Sequence, residues 1–110
     1  MSRYVNKIEV KDPNALTEKI ALFLQTSGLS LGDKNGETLW WKKGVNCIRY
    51  IKIEYAPGTV IVTAFITYFD AFMGDIEAGI KGFVAGFGKW PLAKIVRKLE
   101  NLIRENAGTE

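Results

Sequence analysis

The 110-residue chain contains no histidine. That removes the commonest general base, the commonest metal ligand and the side chain that titrates near neutral pH. It has a single cysteine, Cys47, so no internal disulfide can form. Without histidine, one thiol is also too little for a zinc or other transition-metal site. No apolar run approaches the ~20 residues of a membrane-spanning helix. Nothing at the N-terminus reads as a signal peptide, and with the lone cysteine this points to a reducing, cytoplasmic setting. Repeats, linkers and low-complexity tracts are missing too. Asp70, Asp75 and Glu77 are close in sequence but have no partner base or metal ligands nearby, and they read as turn and cap residues. The expectation is a protein that is not an enzyme and carries no cofactor or metal.

What is present describes an ordinary folded protein. Hydrophobic residues make up 47% and charged residues 25%, a globular balance. The length suits a single domain, residues 1–110, with a core of its own. The net charge of +3 is local. Between Lys89 and Glu105, five basic residues (Lys89, Lys94, Arg97, Lys98, Arg104) face Glu100 and Glu105, which leaves the remainder neutral.

The clearest structural signal is a pair of runs, Cys47 to Tyr55 and Val60 to Phe69, joined by Ala56-Pro57-Gly58-Thr59. Both are rich in β-branched and aromatic residues, which suit a pleated surface. Pro57 fixes φ at the first central turn position and Gly58 accepts positive φ at the second, as a type II turn requires. Such a turn matches strand twist poorly, so a longer loop or a bulge near Thr59 is the alternative. Either way the runs form an antiparallel hairpin.

Around it, Arg3 to Val10 reads as a strand. Asp12 and Pro13 then open a helix whose apolar stripe is Leu16, Ile20, Phe23 and Leu24. Gly28 is placed to cap it in the left-handed conformation, with Leu29 folding back. Ser30 to Glu37 reads as a connection carrying the Asn35-Gly36 turn signal. Thr38 to Lys43 reads as a short strand that must send Trp40 and Trp41 to opposite faces. From Gly74 to Gly88, helical spacing of Ile76, Ile80, Phe83, Val84 and Phe87, with Asp75 as cap, competes with Gly79, Gly82 and Gly86 inside the window. Each glycine there would cost ~1 kcal/mol in a helix interior. A glycine-striped helix leads, with a loop or short strand as alternatives. Pro91 begins a final helix with Leu92, Ile95, Val96, Leu99, Leu102 and Ile103 on one face, ending near Asn106, and Ala107 to Glu110 should fray. The fold class expected is α+β: a two-layer sandwich with an antiparallel sheet of about four strands and two helices on one face. The element order is β-α-β-β-β, the Gly-rich segment, then α.

The hairpin's two faces carry the sharpest functional clue. In the second run, Val60, Val62, Ala64, Ile66 and Tyr68 form an apolar row suited to lie under the helices. The opposite row, Ile61, Thr63, Phe65, Thr67 and Phe69, should meet water in a two-layer fold, yet it holds no charge. Either the chain covers this row itself, or the row and Tyr50 form an interface or ligand face. The leading expectation is a non-enzymatic binding or assembly module that forms a homodimer through this second face. The alternative is a binder of a small apolar molecule or lipid. Its pocket would lie between the sheet and Gly74–Gly88, edged by Trp40 or Trp41, Gly82 and Phe83.

Other readings are weaker. Gly86-Phe87-Gly88-Lys89 before a helix hints at an anion site but lacks phosphate-loop spacing, and glycines alternating with large apolar residues fit close packing better. Phe83, Phe87 and Trp90 beside a basic helix hint at peripheral membrane contact, but an interfacial helix needs a stronger basic face. Sheet aromatics flanked by Lys and Arg can stack bases, yet there is no RNP-like motif and +3 is a modest field, which argues against nucleic acid.

The stretch Glu77-Ala78-Gly79-Ile80-Lys81-Gly82-Phe83, followed by Gly86, Pro91 and a basic amphipathic helix, resembles the C-terminal half of a family of small uncharacterised bacterial domains. In these a Gly-Glu-x-Gly-φ-x-Gly-Phe-like stretch precedes a Pro-Lys helix, often behind an N-terminal zinc ribbon. The likeness covers the last third of the chain and departs at Gly74-Asp75-Ile76-Glu77 and at Lys89-Trp90-Pro91, and no ribbon is present here. It implies an accessory or binding module. The element order also resembles the TATA-binding-protein type of α+β fold, an analogy of shape alone.

Overall fold

A computed structural model describes residues 4–34, 36–44, 47–70, 74–79 and 89–108; for 68–70, 74–79 and 89–91 it describes the backbone only. The order is β1 (Tyr4–Glu9), a 3-10 turn (Pro13–Leu16), α1 (Thr17–Thr26), β2 (Ser30–Lys34), β3 (Glu37–Gly44), β4 (Cys47–Ala56), β5 (Thr59–Asp70), β6 (Gly74–Gly79) and α2 (Lys89–Glu105). The protein is α+β, and its described residues form one antiparallel sheet and two α-helices.

The hairpin is the centre of the sheet. β4 and β5 pair from Cys47↔Tyr68 to Ala56↔Thr59, so the turn holds only Pro57 and Gly58, with Gly58 at φ +70°. The tight type II geometry therefore prevails over a bulge. The Val10 N–H donates to the Gly58 carbonyl at 3.0 Å, which ties the end of β1 to a turn whose own twist fits poorly.

The order across the sheet is β1-β5-β4-β3-β2, with β6 also on β5. β1 pairs with Thr59–Ala64 and β6 with Phe65–Asp70, so two short strands lie end to end along one long one. About four strands were expected, and the described residues form six. One addition is β2. Ser30–Lys34 is not a connection but the first arm of a two-residue hairpin, with Lys34 opposite Glu37 and Gly36 at φ +85°. The other is β6. Gly74–Gly79 is strand rather than helix, and Asp75 sits opposite Phe69 instead of capping a helix. Residues 80–88 lie outside the described residues.

Both helices serve one face. Leu16, Ile20 and Leu24 of the first helical region and Leu92, Val96, Leu99 and Ile103 of α2 join Ile51, Val60, Val62, Ala64 and Ile66 in a single buried core. Each of these large side chains contributes roughly 1.5–3 kcal/mol when fully buried. α1 opens through a 3-10 turn, with Asp12 in extended conformation before Pro13 and no side-chain cap bond. It closes as expected: Gly28 has φ +92°, its N–H reaches the Gln25 carbonyl, and the Leu29 N–H reaches the Leu24 carbonyl. This is the Schellman pattern, with Leu29 buried beneath it. The Lys42 ammonium donates to the Ser27 carbonyl at 3.1 Å, satisfying another helix-end acceptor from the sheet side. Ala107, expected to fray, accepts from the Lys11 N–H at 2.6 Å and packs against the core.

Candidate functional site: an aromatic cleft on the second face of the sheet

Register decides what meets what on the face away from the helices. Ser30↔Trp41, Trp41↔Tyr50, Tyr50↔Phe65 and Phe65↔Gly79 are successive partners, so three aromatic residues cross the sheet in one rank. The Tyr50 and Phe65 rings stack with centroids 4.9 Å apart and planes 18° apart, an arrangement favourable by about 0.5–1.5 kcal/mol beyond area burial. Leu39 and Ile48 pack with them as a second, smaller core. Towards the Pro57-Gly58 turn the same face is charged, since Lys52 bridges Glu37 at 3.1 Å and lies 3.9 Å from Glu54. The second face is thus half apolar and half ionic.

The uncharged row of β5 is buried within the chain: Phe65 has 0% exposure, and Thr63 and Thr67 are 5% and 4% exposed. Tyr50 is buried and Ile61 half-buried. The Phe69 side chain, Gly82 and Phe83 lie outside the described residues. Trp40 and Trp41 do point to opposite faces, and this separates their roles. Trp40 packs against the helix-side core and does not edge the second face, whereas Trp41 stays exposed on it.

Trp41 stands over a half-open cleft of about 240 Å³. Its apolar walls are Leu39, Trp41, Ile48 and Tyr50, and β2 closes it with Gly32, Asp33 and Lys34. Gly32 makes room for the indole: a β-carbon there would lie 3.0 Å from Trp41 Nε1 and 3.2 Å from Cδ1. The Lys34 ammonium sits 5.7 Å from the Tyr50 ring centroid, a cation–π contact worth about 0.5–1 kcal/mol at such a site. Asp33 has the other parity, and its carboxylate accepts the Thr38 hydroxyl at 3.1 Å. The cleft therefore presents flat rings, aliphatic walls and one cation. Tyr50 was legible as a candidate ligand-face residue, and Trp41, together with Trp40, as a candidate pocket edge. Lys34 and Gly32 were not, because β2 carries no strand signal of its own; the Asn35-Gly36 turn was the clue that could have found them.

A second polar feature lies under α2. Glu100, 7% exposed, accepts from the Tyr4 hydroxyl at 2.5 Å and from the Asn6 amide at 2.9 Å. Burial, then the hydrogen bond and charge of Glu100, push the Tyr4 hydroxyl up to about 12, with Arg104 opposing. This clamp joins α2 to β1. Cys47 is buried. Among the described residues, no group of three or more His, Cys, Asp or Glu could hold a metal, and no helix is long and apolar enough to cross a membrane.

No family model, no curated protein and no solved structure matches this chain.

Proposed function

We propose that this protein is a non-enzymatic binding module whose ligand site is the cleft between β2, β3 and β4. The observation that carries the reading is Trp41, a large aromatic left 38% exposed beside a formed cavity on an otherwise buried aromatic rank. Ligand sites are concave and mainly apolar with a few polar groups, and this cleft has that composition. At about 240 Å³ it lies below the ≈300–1,000 Å³ usual for drug-sized ligands, which favours a small molecule of one or two rings. An accessory or binding role is also what the resemblance of the Glu77–Phe83 stretch implies, and the lone buried Cys47 suits a cytoplasmic setting.

The test is titration with 2-naphthol, a flat neutral probe, followed by calorimetry. Wild-type protein should bind it, and Trp41→Ala should weaken binding about tenfold. Equal affinity in the variant would end the proposal.

A second reading, a homodimer through the same face, draws on Val5 and Trp41, which are 53% and 38% exposed on that side of the sheet. The buried residues between them offer a partner little further area. Light scattering at micromolar concentration separates the readings: a dimer abolished by Trp41→Glu supports assembly, and a monomer excludes it.

A further inference from the structure

We infer that the cleft selects small planar aromatic acids, an inference that rests on the binding role proposed above. Of the residues that line the cleft, only Lys34 is a cation. Its ammonium lies over the Tyr50 ring and has no ion pair among the described residues. Around it, Lys52 is held by Glu37 and Glu54, the Asp33 carboxylate lies on the other face of β2 and accepts the Thr38 hydroxyl, and Lys43, opposite Ile48, adds a second cation further along the same face. An anionic group entering beside Tyr50 would therefore meet an ammonium with no competing counter-ion. It would form a charge-assisted hydrogen bond, the stronger kind. A cationic ligand would meet like charge at the same place.

The walls set the rest of the ligand. Trp41, packed over Gly32, offers a broad ring at the cleft mouth, while Leu39 and Ile48 supply aliphatic surface behind it. A flat ring matches the indole, and a carboxylate on its rim reaches Lys34. The reading calls for no covalent step.

The experiment compares 2-naphthoate, 2-naphthol and 2-naphthylmethylamine at pH 7 and low salt by calorimetry, on wild type, Lys34→Gln, Lys34→Arg and Trp41→Ala. Circular dichroism confirms that each variant folds. The naphthoate should bind about fivefold more tightly than the naphthol, the gain expected of one part-exposed ion pair, and the amine should bind weakest. Lys34→Gln should remove the gap between acid and alcohol, Lys34→Arg should restore it, and 0.5 M salt should narrow it. Equal affinities in wild type, or a gap that persists in Lys34→Gln, overturns the anion preference while leaving the cleft. If neither probe binds wild type, or Trp41→Ala binds both as wild type does, the cleft reading falls as well.

Discussion

Replacing Glu100 by alanine should destabilise the protein by about 2–3 kcal/mol. Its Oε2 accepts two hydrogen bonds, from Tyr4 at 2.5 Å and Asn6 at 2.9 Å, and the side chain is only 7% exposed. Hydrogen bonds to a charged group contribute about 1.5–3 kcal/mol each. Tyr4 and Asn6 are half-buried rather than sealed, so water can replace part of what is lost, and the sum falls below the full value. Glu100→Gln keeps an acceptor oxygen but not the charge, and should cost about 1 kcal/mol. The same clamp predicts an alkaline signature. The folded state raises the Tyr4 hydroxyl from 10.0 to about 12, chiefly by burial and then through Glu100. A raised value means that the fold favours the protonated form. This stabilisation is complete below pH 10 and disappears as pH rises through about 12, a loss of about 2 kcal/mol after solvent screening. Tyr55 is pushed up as well, by burial, so some alkaline loss should persist in Tyr4→Phe. Urea unfolding followed by tryptophan fluorescence between pH 7 and 11.5 measures both effects. Glu100→Gln should lose less stability with rising pH than wild type. Parallel losses in the two proteins, or a Glu100→Ala variant within 0.5 kcal/mol of wild type, would refute the clamp.

Two further predictions concern the second face. Phe65→Ala removes a wholly buried ring stacked on Tyr50 and should cost about 3–5 kcal/mol in chemical denaturation; a loss under 1 kcal/mol would show that this rank does not support the fold. Gly32→Ala should change stability by less than about 1 kcal/mol, since alanine suits this strand backbone better than glycine in the unfolded-state balance. It should nonetheless weaken 2-naphthol binding severalfold, because Trp41 must shift by a few tenths of an ångström; unchanged affinity would remove the indole from the site.

Local pattern made the hairpin, α1 and α2 legible, and it failed where pairing partners decide. β4 and β5 carry their own β-branched and aromatic residues, α1 and α2 their own apolar stripes, and α1 its Gly28 cap. In β2, Ser30, Leu31, Gly32, Asp33 and Lys34 include no β-branched residue, and the segment is a strand because β3 pairs with it. β6 is likewise poor in strand formers, and Ile76 opens a helical spacing that continues to Phe87 in the sequence. Pairing with the second half of β5 overrides that local spacing. The site divides in the same way. Trp41 and Tyr50 stand out by residue type, whereas Lys34 joins them only through the unexpected hairpin. In the sequence Glu100 enters only as one charge in the balance of the Lys89–Glu105 segment. Its burial depends on Tyr4 and Asn6, more than ninety residues away, which no local window contains.

The central claim, a ligand cleft between β2, β3 and β4, is tested most directly by mapping bound 2-naphthol onto the amide spectrum of the labelled protein. The account predicts saturable shifts centred on Gly32, Lys34, Leu39, Trp41, Ile48 and Tyr50, and none that depend on ligand on the outer side of α1. Shifts scattered over the surface, or centred away from these residues, would contradict it.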